Sequence, residues 1–121
     1  MSESRTIYIV DDSMTARLWA RSALMSLRPE WQVVDATNGH EAIDKTEAHA
    51  PDACLIDINM PGIDGFETAA QMRARFPDVP IALLTANVQA KVQDRASESG
   101  YAFIGKPVSP AKLQTFVEGL R

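Results

Sequence analysis

Short apolar runs alternate with longer amphipathic stretches along the whole chain. Residues 6–10 (TIYIV) are β-branched and aromatic and predict a first strand. After two aspartates, Ser13 is placed to cap a helix reaching about residue 27, in which Ala16, Trp19, Ala20, Ala23, Leu24 and Leu27 recur at helical spacing. Pro29 stops that helix. Residues 31–36 (WQVVDA) predict a second strand, Asn38-Gly39 a turn or cap, and a helix follows to about residue 48 before Pro51 breaks the chain. Residues 53–56 (ACLI) are apolar without alternation, as a central parallel strand buried on both faces requires, and Asp57 stands at the end of that run. Residues 60–65 (MPGIDG) predict a loop, and Asp64 is placed to cap a third helix reaching about Phe76. Residues 79–84 (VPIALL) predict a fourth strand, with Pro80 near its start, where a strand tolerates proline. A fourth helix is expected from about Val88 to about Ser99, ended by Gly100, then a fifth strand over residues 102–105 (AFIG). Ser109 caps the last helix, and Pro110 occupies its first position.

Strict alternation of five strands with five helices predicts an α/β domain with a parallel sheet covered by helices on both faces. With 121 residues and no linker or repeat, residues 1–121 are expected to be one domain. A net charge of −4 offers no clustered basic face, so a direct nucleic-acid partner is not expected. No apolar run approaches the roughly 20 residues needed to cross a bilayer. The polar start of the chain lacks the apolar core of a signal peptide, so the expected location is cytoplasmic and away from membranes. The single cysteine, Cys54, lies inside an apolar run and is expected to be a buried strand residue with no role.

The chemistry is expected at the carboxyl ends of the strands, where open parallel sheets bind their ligands. Strand 1 ends in Asp11 and Asp12, strand 3 in Asp57, strand 4 in Thr85 followed by Ala86, and strand 5 in Lys106 followed by Pro107. Three crowded carboxylates repel, and a hard divalent cation relieves them. Mg²⁺ suits such a site because it takes oxygen ligands and keeps several waters. A carboxylate is also a competent nucleophile towards phosphorus, giving an aspartyl phosphate. Lys106 would then take one phosphoryl oxygen, and the Thr85 hydroxyl with the Ala86 amide another.

Asp11-Asp12 after an apolar strand, Asp57 with Met60-Pro61-Gly62 and Asp64-Gly65 after it, Thr85-Ala86, and Lys106-Pro107 together resemble the receiver domain of two-component signalling. The intervals match across essentially the whole chain, as in a stand-alone chemotaxis receiver. The resemblance implies the flavodoxin-like five-stranded parallel sheet in the order 2-1-3-4-5 with five helices. It implies that Asp57 is the phosphoacceptor, that Asp12 binds Mg²⁺ directly and Asp11 largely through water, and that Asn59 offers its main-chain carbonyl to the metal. Thr85 is then the switch hydroxyl, Lys106 the phosphoryl contact, and Phe103, three residues before the lysine, the switch aromatic. Tyr101 does not match that position.

A sensor histidine kinase or histidine phosphotransfer protein is the implied phosphodonor, and a downstream protein the implied target. The helix 4–strand 5–helix 5 face is the implied output face, with Lys91, Arg95, Glu98, Lys112 and Gln114 exposed on it. A monomer is the default expectation. His40 and His49 are expected to be solvated on helix 2, Trp19 and Trp31 to be packing residues, and Asp64 to be a helix cap rather than a ligand. Two other functions fit parts of the pattern. A phosphorylation-independent scaffold would keep the shape without the chemistry. A Mg²⁺-dependent phosphatase of the haloacid-dehalogenase class needs a second acid two residues after Asp11, where this chain has Ser13.

Overall fold

The computed structural model describes residues 4–86 and 89–120. Five strands, β1 (Thr6–Val10), β2 (Gln32–Ala36), β3 (Ala53–Asp57), β4 (Ile81–Thr85) and β5 (Ala102–Gly105), form one parallel sheet in the order β2-β1-β3-β4-β5. Each is followed by a helix: α1 (Met14–Leu27), α2 (Gly39–Lys45), α3 (Gly65–Arg75), α4 (Ala90–Glu98) and α5 (Pro110–Glu118). The expected alternation and strand order are both present.

Alternate residues of each strand feed two cores. On one face Tyr8, Val10, Cys54, Ile56, Ile81 and Leu83 pack against α2, α3 and α4 through residues such as Ile43, Phe66, Met72 and Ala96. On the other, Ile7, Ile9, Leu55, Ala82, Leu84 and Ile104 pack against Ala20, Ala23 and Leu24 of α1 and Leu113 and Val117 of α5. β3 and β4 are buried at every position, which is why their sequences show no polar alternation.

Side-chain caps fix four helix starts. Ser13, Asn38, Asp64 and Ser109 accept the amides of Ala16, Glu41, Glu67 and Lys112 respectively. The expected start of the fourth helix at Val88 lies outside the described residues.

Three expectations are corrected. The second helix ends at Lys45, not near residue 48. Past that point the amides of Thr46, Glu47 and Ala48 bond carbonyls three residues back, and the Thr46 hydroxyl takes the Ile43 carbonyl, so the chain tightens into turns. His49 therefore lies beyond the helix, and its carbonyl accepts the Tyr8 hydroxyl. Trp19 is not a packing residue: it is 55% exposed, beside Met14 and Leu18, which are also exposed. The buried stripe of α1 runs through Ala20, Ala23 and Leu24, about 100° round the helix from Trp19. Trp31 does pack, buried just before β2 with the guanidinium groups of Arg5 and Arg28 over its ring.

Candidate functional site

The register of the sheet assembles the polar rim. Val10 lies beside Ile56 and Asp57 beside Leu84, so the residue after β1, Asp11, comes level with the end of β3. Asp11 is 1% exposed and Asp57 4%, whereas Asp12 is exposed. Carboxylate oxygens of Asp11, Asp12 and Asp57 lie within 4.8 Å of one another. The Lys106 ammonium, carried past the end of β5, stands 2.6 Å from Asp11 Oδ2 and 3.2 Å from Asp57 Oδ1.

Burial, reinforced by Asp11 and resisted by Lys106, raises the Asp57 carboxyl above the ordinary aspartate range. Burial alone would lower the Lys106 ammonium, but its pairing with Asp11 and Asp57 prevails and raises it, so it stays a cation. One lysine thus faces three acids, and the cluster keeps a surplus of negative charge. Asp11 Oδ2 is buried, and the Lys106 ammonium is the partner the structure gives it. Three carboxylates offering oxygen ligands within 4.8 Å of one another, with one ammonium among them, fit a hard divalent cation such as Mg²⁺.

The other expected residues are distributed around this cluster. Thr85 ends β4, is buried, and its carbonyl accepts the Lys106 amide at 2.8 Å. Ala86 and Lys106 line a common cleft with Trp19, Leu84, Pro107 and Val108. Asn59 is exposed two residues past Asp57, in a groove shared with Phe66, Val92 and Arg95. Phe103 is half-buried, packed on the core beneath α3 and α4 rather than beside the carboxylates. Asp64 is a helix cap, as expected. Ser13, where the haloacid-dehalogenase class needs its second acid, caps α1 and donates its amide to Asp11 Oδ1 at 2.9 Å.

Two residues that hold the site, Arg17 and Gly65, were given no role of their own from sequence. Arg17 Nη1 donates to the Asp11 carbonyl at 2.8 Å while its Nε lies 3.7 Å from Asp35, so it ties the residue after β1 to β2. Gly65 admits the start of α3 close to β3: a Cβ there would lie 2.4 Å from the Asp57 carbonyl oxygen and 2.6 Å from Ile58 Cα. The Gly65 amide donates to the Ile58 carbonyl at 2.9 Å, so only glycine lets α3 begin directly against the phosphoacceptor candidate. The Gly in the Asp64-Gly65 pair was the one available signal.

Comparison with known proteins decides the family. The response regulator receiver domain profile matches residues 7–118. The chain belongs to the response regulator receiver domain family. It is 38% identical over 112 residues to the cyclic di-GMP phosphodiesterase response regulator RpfG of Xanthomonas campestris, covering 89% of this chain and 29% of that protein. It is 33% identical over 121 residues to the sensor protein EvgS of Escherichia coli K12, covering 99% of this chain and 10% of that protein. The chain thus spans less than a third of either relative's length.

Among solved structures, the response regulator TrrA of Thermotoga maritima, determined with Mg²⁺ and a beryllium fluoride, is 29% identical with a TM-score of 0.82, covering 97% of this chain and 99% of that one. The chemotaxis protein CheY4 of Vibrio cholerae shares the fold at 24% identity, with a TM-score of 0.85 and coverage of 98% of this chain and all of that one. No helix among the described residues of this receiver is long and apolar enough to cross a membrane.

Proposed function

We propose that this receiver, with residues 1–121 acting as one domain, accepts a phosphoryl group on Asp57 from a sensor histidine kinase or a histidine phosphotransfer protein. The observation that carries the proposal is the Lys106 ammonium held within 3.2 Å of Asp57 at the edge of a three-carboxylate cluster. Asp11, Asp12 and Asp57, with the main-chain carbonyl of Asn59, would hold Mg²⁺. When bound, that ion offsets the charge of the acids and of the phosphoryl oxygens.

In the transfer, a carboxylate oxygen of Asp57 attacks phosphorus, the bond from phosphorus to the donor's imidazole nitrogen breaks, and that nitrogen leaves with the electron pair. Lys106 stays protonated throughout and neutralises one phosphoryl oxygen. The Thr85 hydroxyl and the Ala86 amide take another. Ser13 caps α1 where a phosphatase of the haloacid-dehalogenase class would carry its acid, so catalytic turnover of phosphate esters is not part of this reading.

The added group brings roughly −1.5 to −2 charges and new acceptor oxygens. Drawing the Thr85 hydroxyl towards them opens space behind β4, into which Phe103 swings. The α4–β5–α5 face then changes for a downstream protein. Moving a population from 1:99 to 99:1 takes about 5.5 kcal/mol, within reach of a few charge-assisted hydrogen bonds. The proposed setting is cytoplasmic and the proposed state a monomer.

The test is binding of beryllofluoride, a phosphoryl mimic, to the whole chain by isothermal titration calorimetry with and without Mg²⁺. The expected result is saturable one-to-one binding that requires Mg²⁺, is lost in Asp57→Asn and is weakened at least about tenfold in Lys106→Met. Equal binding by wild type and Asp57→Asn would contradict the proposal.

A further inference from the structure

Lys112 was expected to be exposed on the output face; it is exposed, and the structure also gives its ammonium partners. Its side chain turns back from α5, and Nζ donates to the carbonyls of Gly105 and Pro107, at 3.1 Å each. Those carbonyls belong to the two residues flanking Lys106. Lys112 is also in an unfavourable place for a cation. It is the third residue of α5, where the helix N-terminus carries partial positive charge, and that first turn has no acidic residue. The two carbonyls offset this by placing partial negative charge around the ammonium.

We infer that Lys112 is a positioning residue for Lys106, clamping the backbone on both sides of it so that its ammonium is held at Asp57 and Asp11. This rests on the reading of Lys106 as the phosphoryl contact. Lys106 is otherwise held to the sheet by its amide bond to the Thr85 carbonyl, and its side chain is drawn across the rim by two acids. Beyond that amide the next anchor is Val108, buried in the core, which leaves Pro107 between the two anchors. The Lys112 clamp fixes the near and the far side together. Part of the organisation of the phosphoryl site therefore comes from α5.

The test measures beryllofluoride affinity in saturating Mg²⁺ by calorimetry for the wild-type chain, Lys112→Met, Lys112→Arg, Lys106→Met and the double variant Lys106→Met/Lys112→Met. Lys112→Met is expected to weaken binding about fivefold, a value discounted for the exposure of the two bonds. Lys112→Arg, which can donate to both carbonyls, is expected to stay within about twofold of wild type. In the Lys106→Met background the second substitution is expected to change nothing further.

The thermal midpoint of Lys112→Met should stay close to that of wild type, because the loss of two exposed hydrogen bonds is set against the removal of a cation from a helix N-terminus. Wild-type affinity in Lys112→Met, with Lys106→Met weakened, overturns this inference alone. So does a loss of the same size in both backgrounds, which is the mark of long-range charge rather than positioning. Wild-type affinity in Lys106→Met overturns the reading of the site, and this inference with it.

Discussion

The rim where β1 and β3 end and the flank formed by α4 and β5 are neighbours built to different standards. β3 is buried at every position and β1 at all but its first, while α4 buries Ala96 alone and β5 buries only Ile104. Every other helix starts on a side chain that accepts a backbone amide, whereas Gln89 gives α4 no such cap. What fastens this flank is partly cation–π contact: Arg95 lies 3.8 Å over the Phe66 ring and Arg73 5.0 Å over Tyr101. The difference teaches how a switch can be distributed. Asp11 and Asp57 stand at the ends of strands buried at nearly every position, and the elements with least buried side chain to lose by moving lie beside them.

Substitutions should separate the two regions. Leu55→Ala, emptying a fully buried position of β3, should destabilise by about 3 kcal/mol in urea unfolding, whereas Val92→Ala in α4 should cost less than about 1 kcal/mol. Similar losses at both positions would erase the contrast.

Alkaline pH tests the rigid side in another way. Burial, with a smaller contribution from Cys54, pushes the Tyr8 phenol up from 10.0 to about 12. A raised value in the folded state means the neutral form is preferred there. The Tyr8 contribution is thus fully present below about pH 10 and is lost as pH rises towards about 12. Chemical denaturation across this range should show that decline in wild type and a shallower one in Tyr8→Phe.

A smaller effect is expected at the site itself. Asp57 is a buried carboxylate beside another acid, so without divalent cations Asp57→Asn should raise stability by about 1 kcal/mol. Added Mg²⁺ should then stabilise wild type more than the variant. A lower urea midpoint for the metal-free variant would show that its pairing with Lys106 outweighs burial and repulsion. The mildest change is Arg95→Ala. It should leave the global midpoint within about 0.5 kcal/mol but speed amide hydrogen exchange in α4 selectively. Uniform acceleration across the sheet would mean that α4 is not a separately loosened unit.

The strands were legible in the sequence because burial on both faces of a parallel sheet leaves apolar runs that little else produces. Capped helix starts were legible for a similarly local reason, since Ser13, Asn38, Asp64 and Ser109 bond amides only three residues on. The end of α2 was not, because the turn that replaces its last residues depends on a hydroxyl, that of Thr46, whose bond competes with the helix. Trp19 misled because apolarity does not report which side of a helix a residue faces. The acids, Thr85 and Lys106 announced themselves by standing at strand ends. Arg17 and Lys112 did not, because the contacts that tie them to the site are to main-chain carbonyls, and a carbonyl has no residue type to recognise.

The central claim is that phosphoryl acceptance occurs on the side chain of Asp57. The most direct measurement is to incubate the chain with Mg²⁺ and acetyl phosphate, reduce acyl phosphates with borohydride, and sequence the peptides by mass spectrometry. The account predicts conversion of the aspartate at position 57 to homoserine, dependent on Mg²⁺ and confined to that position. Conversion at Asp11, Asp12 or any other acid, with Asp57 unmodified, would contradict it.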